Sequence, residues 1–306
     1  MTKLSALQHL GLAFETTFGT KVTPAVWVPV NSVKPVDDIK KINDEGRRAN
    51  LTKIFQVYDG VQSGKVDISL DAYPDAIGYF LKGIFGQDTP TGTNPNYVHT
   101  FKLVNAMGPS TTLSYFNGVA EHAYGGSMMT DLSFKFDTEG VLSMDAKYTG
   151  IMGTVVTTTV PVYSTVLPFL GYQATLLVNA IGNTNLVGGE VTIKRDVKLL
   201  YGASASTAPS KASSGRVQVS GKLTFDIENE TAEYNLFGGA DVPIVLTFTQ
   251  NVNSSIAFQF TLADITKANI DSSQEFVRVD LEFEAYYNAT DAGPCTIILK
   301  NAVATY

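Results

Sequence analysis

Ser63-Gly64-Lys65-Val66-Asp67-Ile68-Ser69-Leu70-Asp71 and its continuation, Ala72-Tyr73-Pro74-Asp75-Ala76-Ile77-Gly78-Tyr79-Phe80-Leu81-Lys82-Gly83-Ile84-Phe85-Gly86, change period half-way along. In the first part Val66, Ile68 and Leu70 point one way and Lys65, Asp67 and Ser69 the other, the period of a half-buried strand. After Asp71, Ile77, Phe80, Leu81, Ile84 and Phe85 fall at i, i+3, i+4, i+7 and i+8, one apolar stripe of a helix. Pro74 suits the first helical turn, Asp75 the positive helix N-terminus and Gly86 the stop. The stretch predicts a strand feeding a short helix packed on a sheet.

A second copy of this module starts at Ser220-Gly221-Lys222-Leu223-Thr224-Phe225-Asp226-Ile227 and leads into a shortened helix over Ala232–Gly239. The two Ser-Gly-Lys tripeptides lie 157 positions apart, close to half of the 306 residues. A repeat at half the chain length predicts two similar tandem domains.

Working outward, residues 1–31 read as an extended arm. Its Phe14, Phe18 and Trp27 need a surface, either on the same chain or on a neighbouring subunit. Residues 32–150 form the first domain. Strands are expected at Val33–Ile42, from Ile54, at Tyr97–Val104 and Thr111–Phe116, and in a hairpin around Thr138-Glu139-Gly140. Residues 87–96 read as a loop. Residues 151–170 are rich in Thr, Val, Gly and Pro and read as a linker. The second domain, 171–306, repeats the pattern: a strand at Glu190–Lys198, a small-residue loop at Gly202–Gly215, the cleanest alternation at 277–286, and a last strand at Thr296–Leu299. The expected fold is mainly β: two tandem β-sandwich or barrel domains, each with one short packed α-helix.

Composition excludes several functions. Net charge is −7 and no basic block exists, which argues against gripping nucleic acid by its phosphates. No apolar run approaches the roughly 20 residues of a membrane span, and Met1–Leu12 does not read as a secretory signal. Cys295 is the single cysteine and reads as a small buried strand residue. His9, His99 and His122 lie far apart and outside any metal-ligand spacing. Glu282 and Glu284 could in principle form a glycosidase pair, but carboxylates at i and i+2 on a strand read as a solvated face. No phosphate-cradling loop or nucleophile elbow occurs. The expectation is no catalytic site, cofactor or metal.

One segment carries a resemblance. Gly11-Leu12-Ala13-Phe14-Glu15-Thr16-Thr17-Phe18-Gly19-Thr20, continuing to Pro24, looks like the G-x-A-x-E-T-T-x-G-T opening of the tail tube (major tail) proteins of long-tailed bacteriophages. The long hairpin before the strand–helix module and the Ala123–Gly140 region resemble that family in architecture. The resemblance implies a structural virion protein whose rings stack into a hollow tube through which DNA passes without specific binding. It implies that the loop at 43–59 reaches the adjacent ring, with Arg47, Arg48, Lys53 and Phe55 as candidate contacts and Lys211 as the second-half counterpart. Asp67, Asp280, Glu282 and Glu284 are candidates to face the lumen. Phe14, Phe18 and Trp27 are candidate arm contacts. The implied partners are copies of the chain, as trimeric pseudo-hexameric rings or as hexamers, together with tape-measure, tail-terminator and baseplate proteins. The implied location is the virion tail, after assembly in the host cytoplasm. The alternative is another virion β-protein: a head decoration protein, a fibre domain or a carbohydrate-binding module, for which Tyr286-Tyr287 and Trp27 are the sole support.

Overall fold

The computed structural model describes residues 5–203, 205–227, 234–272 and 277–306. The first half holds β1 (His9–Phe14), β2 (Val26–Val28), β3 (Ser32–Asp44) and β4 (Gln56–Asp71), then helix α1 (Ile77–Phe85). It continues with β5 (Thr89–Thr93), β6 (Asn96–Lys102), β7 (Thr111–Phe116), β8 (Glu121–Asp137), β9 (Ser143–Gly150) and β10 (Thr154–Val156). The second half holds β11 (Ala174–Val178), β12 (Ile181–Asn183), β13 (Leu186–Leu200), β14 (Lys211–Asp226), β15 (Val242–Asn251), β16 (Ser254–Asp271), β17 (Arg278–Ala285) and β18 (Thr296–Asn301).

The strand–helix module forms as its periods predict. Val66, Ile68 and Leu70 are buried while Lys65 and Asp67 face solvent. All five stripe residues of α1 are fully buried. A nine-residue helix is marginal alone in water, so packing of this stripe, at about 1.5–3 kcal/mol per large side chain, holds it. The helix begins three residues after Pro74, because Pro74 to Ala76 form a turn in which Ala76 and Ile77 donate to the Tyr73 carbonyl. Gly86 ends it at φ 93°, donating its N–H to the Lys82 carbonyl at 2.8 Å.

The pairing order of one half returns in the other. In the first, β2–β1–β7–β8–β9–β4–β3 pair successively and β10 adds to β8. In the second, β12–β11–β15–β16–β17–β14–β13 do the same and β18 adds to β16. The long strands β8 and β16 each serve two sheets and each carries a bulge at the crossing, Thr130 and Thr266. Both threonine hydroxyls donate to the opposite strand, to the Lys147 and Glu282 carbonyls at 3.2 and 3.3 Å. Matching these bulges, and those between Ile39/Lys41 and Arg195/Val197, sets Gly64 against Val219 rather than Gly221. The repeat offset in this strand is therefore 155, and the Ser-Gly-Lys tripeptides lie two residues out of register.

The halves are also joined. Strand β13 pairs with β8 over Gly188–Lys194, and β6 pairs with β18. One continuous apolar core runs through both halves, from Leu10 and Phe80 to Phe258 and Phe283.

Several expectations are corrected. Residues 87–96 are not a plain loop: Thr-rich β5 pairs with β6 as a hairpin. The small-residue loop at 202–215 is shorter, because 211–215 belong to β14, where Ala212 is buried opposite Leu199; their lack of apolar alternation hid the strand. The expected helix over 232–239 is a single 3-10 turn at Tyr234–Leu236, with 232 and 233 outside the described residues. Residues 151–170 contain β10 and end with Phe169 fully buried.

Candidate assembly surface

Eight antiparallel strands form an unbroken sheet across both halves, in the order β3–β4–β9–β8–β13–β14–β17–β16. Its inner face supplies core residues such as Ile68, Met144, Phe134, Ile193, Leu223 and Leu281. Its other face is polar, and Asp67, Asp280, Glu282 and Glu284 all lie on it. Strand sequences alone make this face look acidic; the cross-strand register makes it alternate. One row runs Lys34–Asp67–Lys147–Asp131–Lys194 across five strands. Another runs Lys135–Glu190–Lys222–Glu282–Lys267 from β8 to β16, sharing β8 and β13 with the first. Lys222 Nζ reaches Asp280 at 2.7 Å, Lys267 Nζ reaches Glu282 at 2.9 Å, and Arg278 Nε reaches Asp226 at 2.8 Å. Glu282 also raises the Lys267 pKa. Exposed pairs contribute little each, at most about 1 kcal/mol, so the lattice acts on register more than on stability.

The β3–β4 hairpin projects beyond this sheet. Its tip is organised by Asp44, whose carboxylate accepts from Gly46 N–H at 3.0 Å and from Arg48, and is held below the usual carboxylate range by that N–H first and Arg48 second. Arg48 lies 4.9 Å above the half-buried Phe55 ring, and Lys53 stands 3.9 Å from Glu45. Arg47, Arg48 and Lys53 are exposed. Around them lie Ile42, Leu51, Ile54, Val57 and Tyr58, all exposed apolar side chains. Sequence reasoning named the charges of this tip and Phe55, and passed over the other apolar side chains around them. The second-half loop lies against the chain itself: Thr207 accepts from Gln62 N–H at 2.8 Å, and Tyr201 donates to the Gln62 carbonyl at 3.1 Å. Lys211 is exposed at its base, opposite Leu200.

The arm residues rest on their own half. Phe14 stacks on Tyr79 with centroids 6.0 Å apart, Trp27 meets His9 edge-on at 5.1 Å, and Phe18 fills the space beside Gly126. Within the Gly11–Thr20 motif Glu15 is the organising residue. One carboxylate oxygen accepts from Gly19 N–H and Ser110 Oγ, both at 2.8 Å, the other from Thr112 Oγ1 at 2.7 Å and Gly126 N–H at 2.8 Å. Gly19 holds φ 76°, which a side chain would strain. The motif thus fixes the turn after β1 onto β7 and β8.

Two functional features lay outside the sequence reading. Arg195 is buried and joins the halves, donating to the Ile84 carbonyl at 2.7 Å in the last turn of α1 and to the Ala106 carbonyl at 2.6 Å; burial lowers its pKa. Tyr306 packs against Tyr79 on α1 and His99 on β6, and His99 bridges Asp88 and the Val303 carbonyl. Neither has a local pattern, because the α1 and β6 groups they meet are distant in sequence. Cys295 is fully buried and its thiol pKa is raised by that burial. Among the described residues no group of three or more His, Cys, Asp or Glu side chains could hold a metal ion, and no helix is long and apolar enough to cross a membrane.

The fold thus joins a doubled antiparallel β architecture, one polar sheet face and a projecting hairpin. The chain belongs to the phage tail tube protein family, whose model matches residues 5–285. Its role is therefore structural, in the virion tail, and the family is not an enzyme class. A search of curated proteins returned no match.

Proposed function

We propose that copies of this chain join edge to edge into rings that stack into the tail tube, with the polar face of the eight-strand sheet turned to the bore through which DNA passes. The observation that carries this reading is the eight-strand sheet itself, built from two like halves, whose end strands β3 and β16 pair there, among the described residues, with one neighbour each. Open sheet edges recruit further strands, and head-to-tail contacts generate rings or filaments. Two tube domains per chain, at 32–150 and 171–306, favour three chains in a pseudo-hexameric ring over six. The β3–β4 tip, carrying Arg47, Arg48, Lys53 and Phe55 beside an exposed apolar cluster, reaches the next ring. The charge-free segment 157–167, with exposed Val160, Val162 and Leu167, is a second interface piece. Alternating charges on the bore give a phosphate backbone no continuous basic track to adhere to. Assembly occurs in the host cytoplasm, and the tube ends meet tape-measure, tail-terminator and baseplate proteins.

Electron microscopy of the concentrated protein tests this. Hollow tubes or rings with three chains per repeat are expected; a particle that stays monomeric at every concentration and salt refutes it.

A further inference from the structure

The chain contains, in its own β8–β13 contact, a copy of the junction by which successive molecules would meet. That contact pairs the second part of β8 with β13, placing Asp131 opposite Lys194 and Lys135 opposite Glu190. The bulge matching described above makes β16 the counterpart of β8, with Lys267 and Asp271 in the places of Asp131 and Lys135. It likewise makes β3 the counterpart of β13, with Asp38 and Lys34 in the places of Lys194 and Glu190. Among the described residues, β3 pairs only with β4, and the Lys267–Asp271 end of β16 only with β17. The in-chain contact consumes β8 and β13; among the described residues no further strand pairs with the equivalent stretches of β16 and β3.

We propose that the Lys267–Asp271 edge of one molecule pairs antiparallel with β3 of a second copy, with Lys267 opposite Asp38 and Asp271 opposite Lys34. This rests on the reading that copies of the chain assemble, and adds the register. Both pairs are charge-complementary, with the polarity of the in-chain pairs reversed. Lys34, Asp38 and Lys267 are exposed. The junction extends the rows already present. Asp226–Arg278–Asp271 runs on into Lys34–Asp67–Lys147–Asp131–Lys194 of the second copy, eight charges of strictly alternating sign. Lys135–Glu190–Lys222–Glu282–Lys267 runs on into Asp38. A slip of two residues, the smallest that keeps the polar face outward, places Lys267 opposite Lys40 or Val36 and Asp271 opposite Val36 or Ser32. Each slip loses both ion pairs, and one sets two lysines together.

Cysteine cross-linking of the full-length protein reads the register directly. Asn269 and Val36 stand opposite each other in the proposed pairing, and directly opposed strand residues lie within disulfide reach. Asn269→Cys with Val36→Cys is expected to give an oxidised ladder of dimers and higher multimers, while Asn269→Cys with Asp38→Cys or with Lys34→Cys, the pairs that the two slips would set opposite, gives at least tenfold less. The buried Cys295 adds no background. In parallel, Lys267→Glu and Asp38→Lys should each raise the concentration needed for polymerisation at low salt at least tenfold, and the double variant should restore it; circular dichroism verifies the fold of each. Wild-type tubes whose ladder follows the Asp38 or the Lys34 pair, or whose double variant behaves as the sum of the singles, overturn the register and leave the assembly reading standing. A wild-type protein that forms no polymer overturns both.

Discussion

Glu15→Ala probes the turn on which the first half is hung. The substitution removes the acceptor of four hydrogen bonds at 2.7–2.8 Å and leaves the Gly19 and Gly126 N–H groups without a partner. The Ser110 and Thr112 hydroxyls can rotate toward other acceptors; the two backbone donors cannot. At about 1–3 kcal/mol for each buried donor left unsatisfied, the expected loss is about 2–6 kcal/mol. Water entering the truncated site pulls the value toward the lower end, since Glu15 is 9% exposed. With unfolding entropy near 2.1 cal/mol/K per residue, a chain of this size loses about 1.5 °C of Tm for each kcal/mol. The expected drop is therefore about 3–9 °C. Urea denaturation followed by circular dichroism, at concentrations too low for polymerisation, isolates the effect from mass action. Glu45→Ala at the exposed hairpin tip is the control and should move the midpoint by less than about 0.5 kcal/mol. A Glu15→Ala protein as stable as that control would show that the motif acts somewhere other than in this turn.

Two further outcomes follow from buried groups. Arg195→Ala strips the Ile84 and Ala106 carbonyls of their donor and should cost about 2–4 kcal/mol in urea midpoint, with Arg195→Lys recovering only part because a single ammonium cannot reproduce the forked geometry. Burial first, then the neighbouring Asp37, pushes the Tyr124 pKa up to about 12. The folded state thus holds this proton more tightly than the unfolded chain, whose phenol titrates near 10. Stability from this group is intact below pH 10 and is lost as pH rises from 10 through 12. Tyr124→Phe should flatten that part of the Tm–pH curve, and an unchanged slope would refute the assignment.

Much of the fold was readable because each element is amphipathic on its own. Val66-Asp67-Ile68-Ser69-Leu70 carries its strand period, and the Ile77–Phe85 stripe its helix, without reference to any partner. Strands made by pairing rather than by pattern were hidden. Thr89–Thr93 becomes a strand because β6 lies beside it, and Lys211–Gly215 because β13 does. The candidate surface was legible in identity and not in arrangement. Asp67, Asp280, Glu282 and Glu284 were named from strand alternation, yet the lysines that neutralise them stand on neighbouring strands up to dozens of residues away. Arg195 bonds to Ile84 and Ala106, and Tyr306 packs on Tyr79 and His99, all distant in sequence, which no local pattern encodes.

The repeat itself shows why sequence finds a doubled β-protein sooner than it finds the correct superposition. Any even slip of a strand keeps its apolar residues inward, so period-two patterns cannot choose between neighbouring registers. The Ser-Gly-Lys tripeptides at 63–65 and 220–222 match in letters and in alternation, and still lie two residues off. A bulge breaks the period and therefore marks an absolute position. Thr130 and Thr266 break it at the same point in β8 and β16, and each secures the break with the same hydroxyl-to-carbonyl bond. That pair, rather than the tripeptide, aligns the halves, and the alignment then predicts charged partners across a junction between molecules. Had the tripeptide been used instead, Lys267 would face Ile42 of the next copy and Asp271 would face Asp38, and the alternating rows would stop at the edge of each chain.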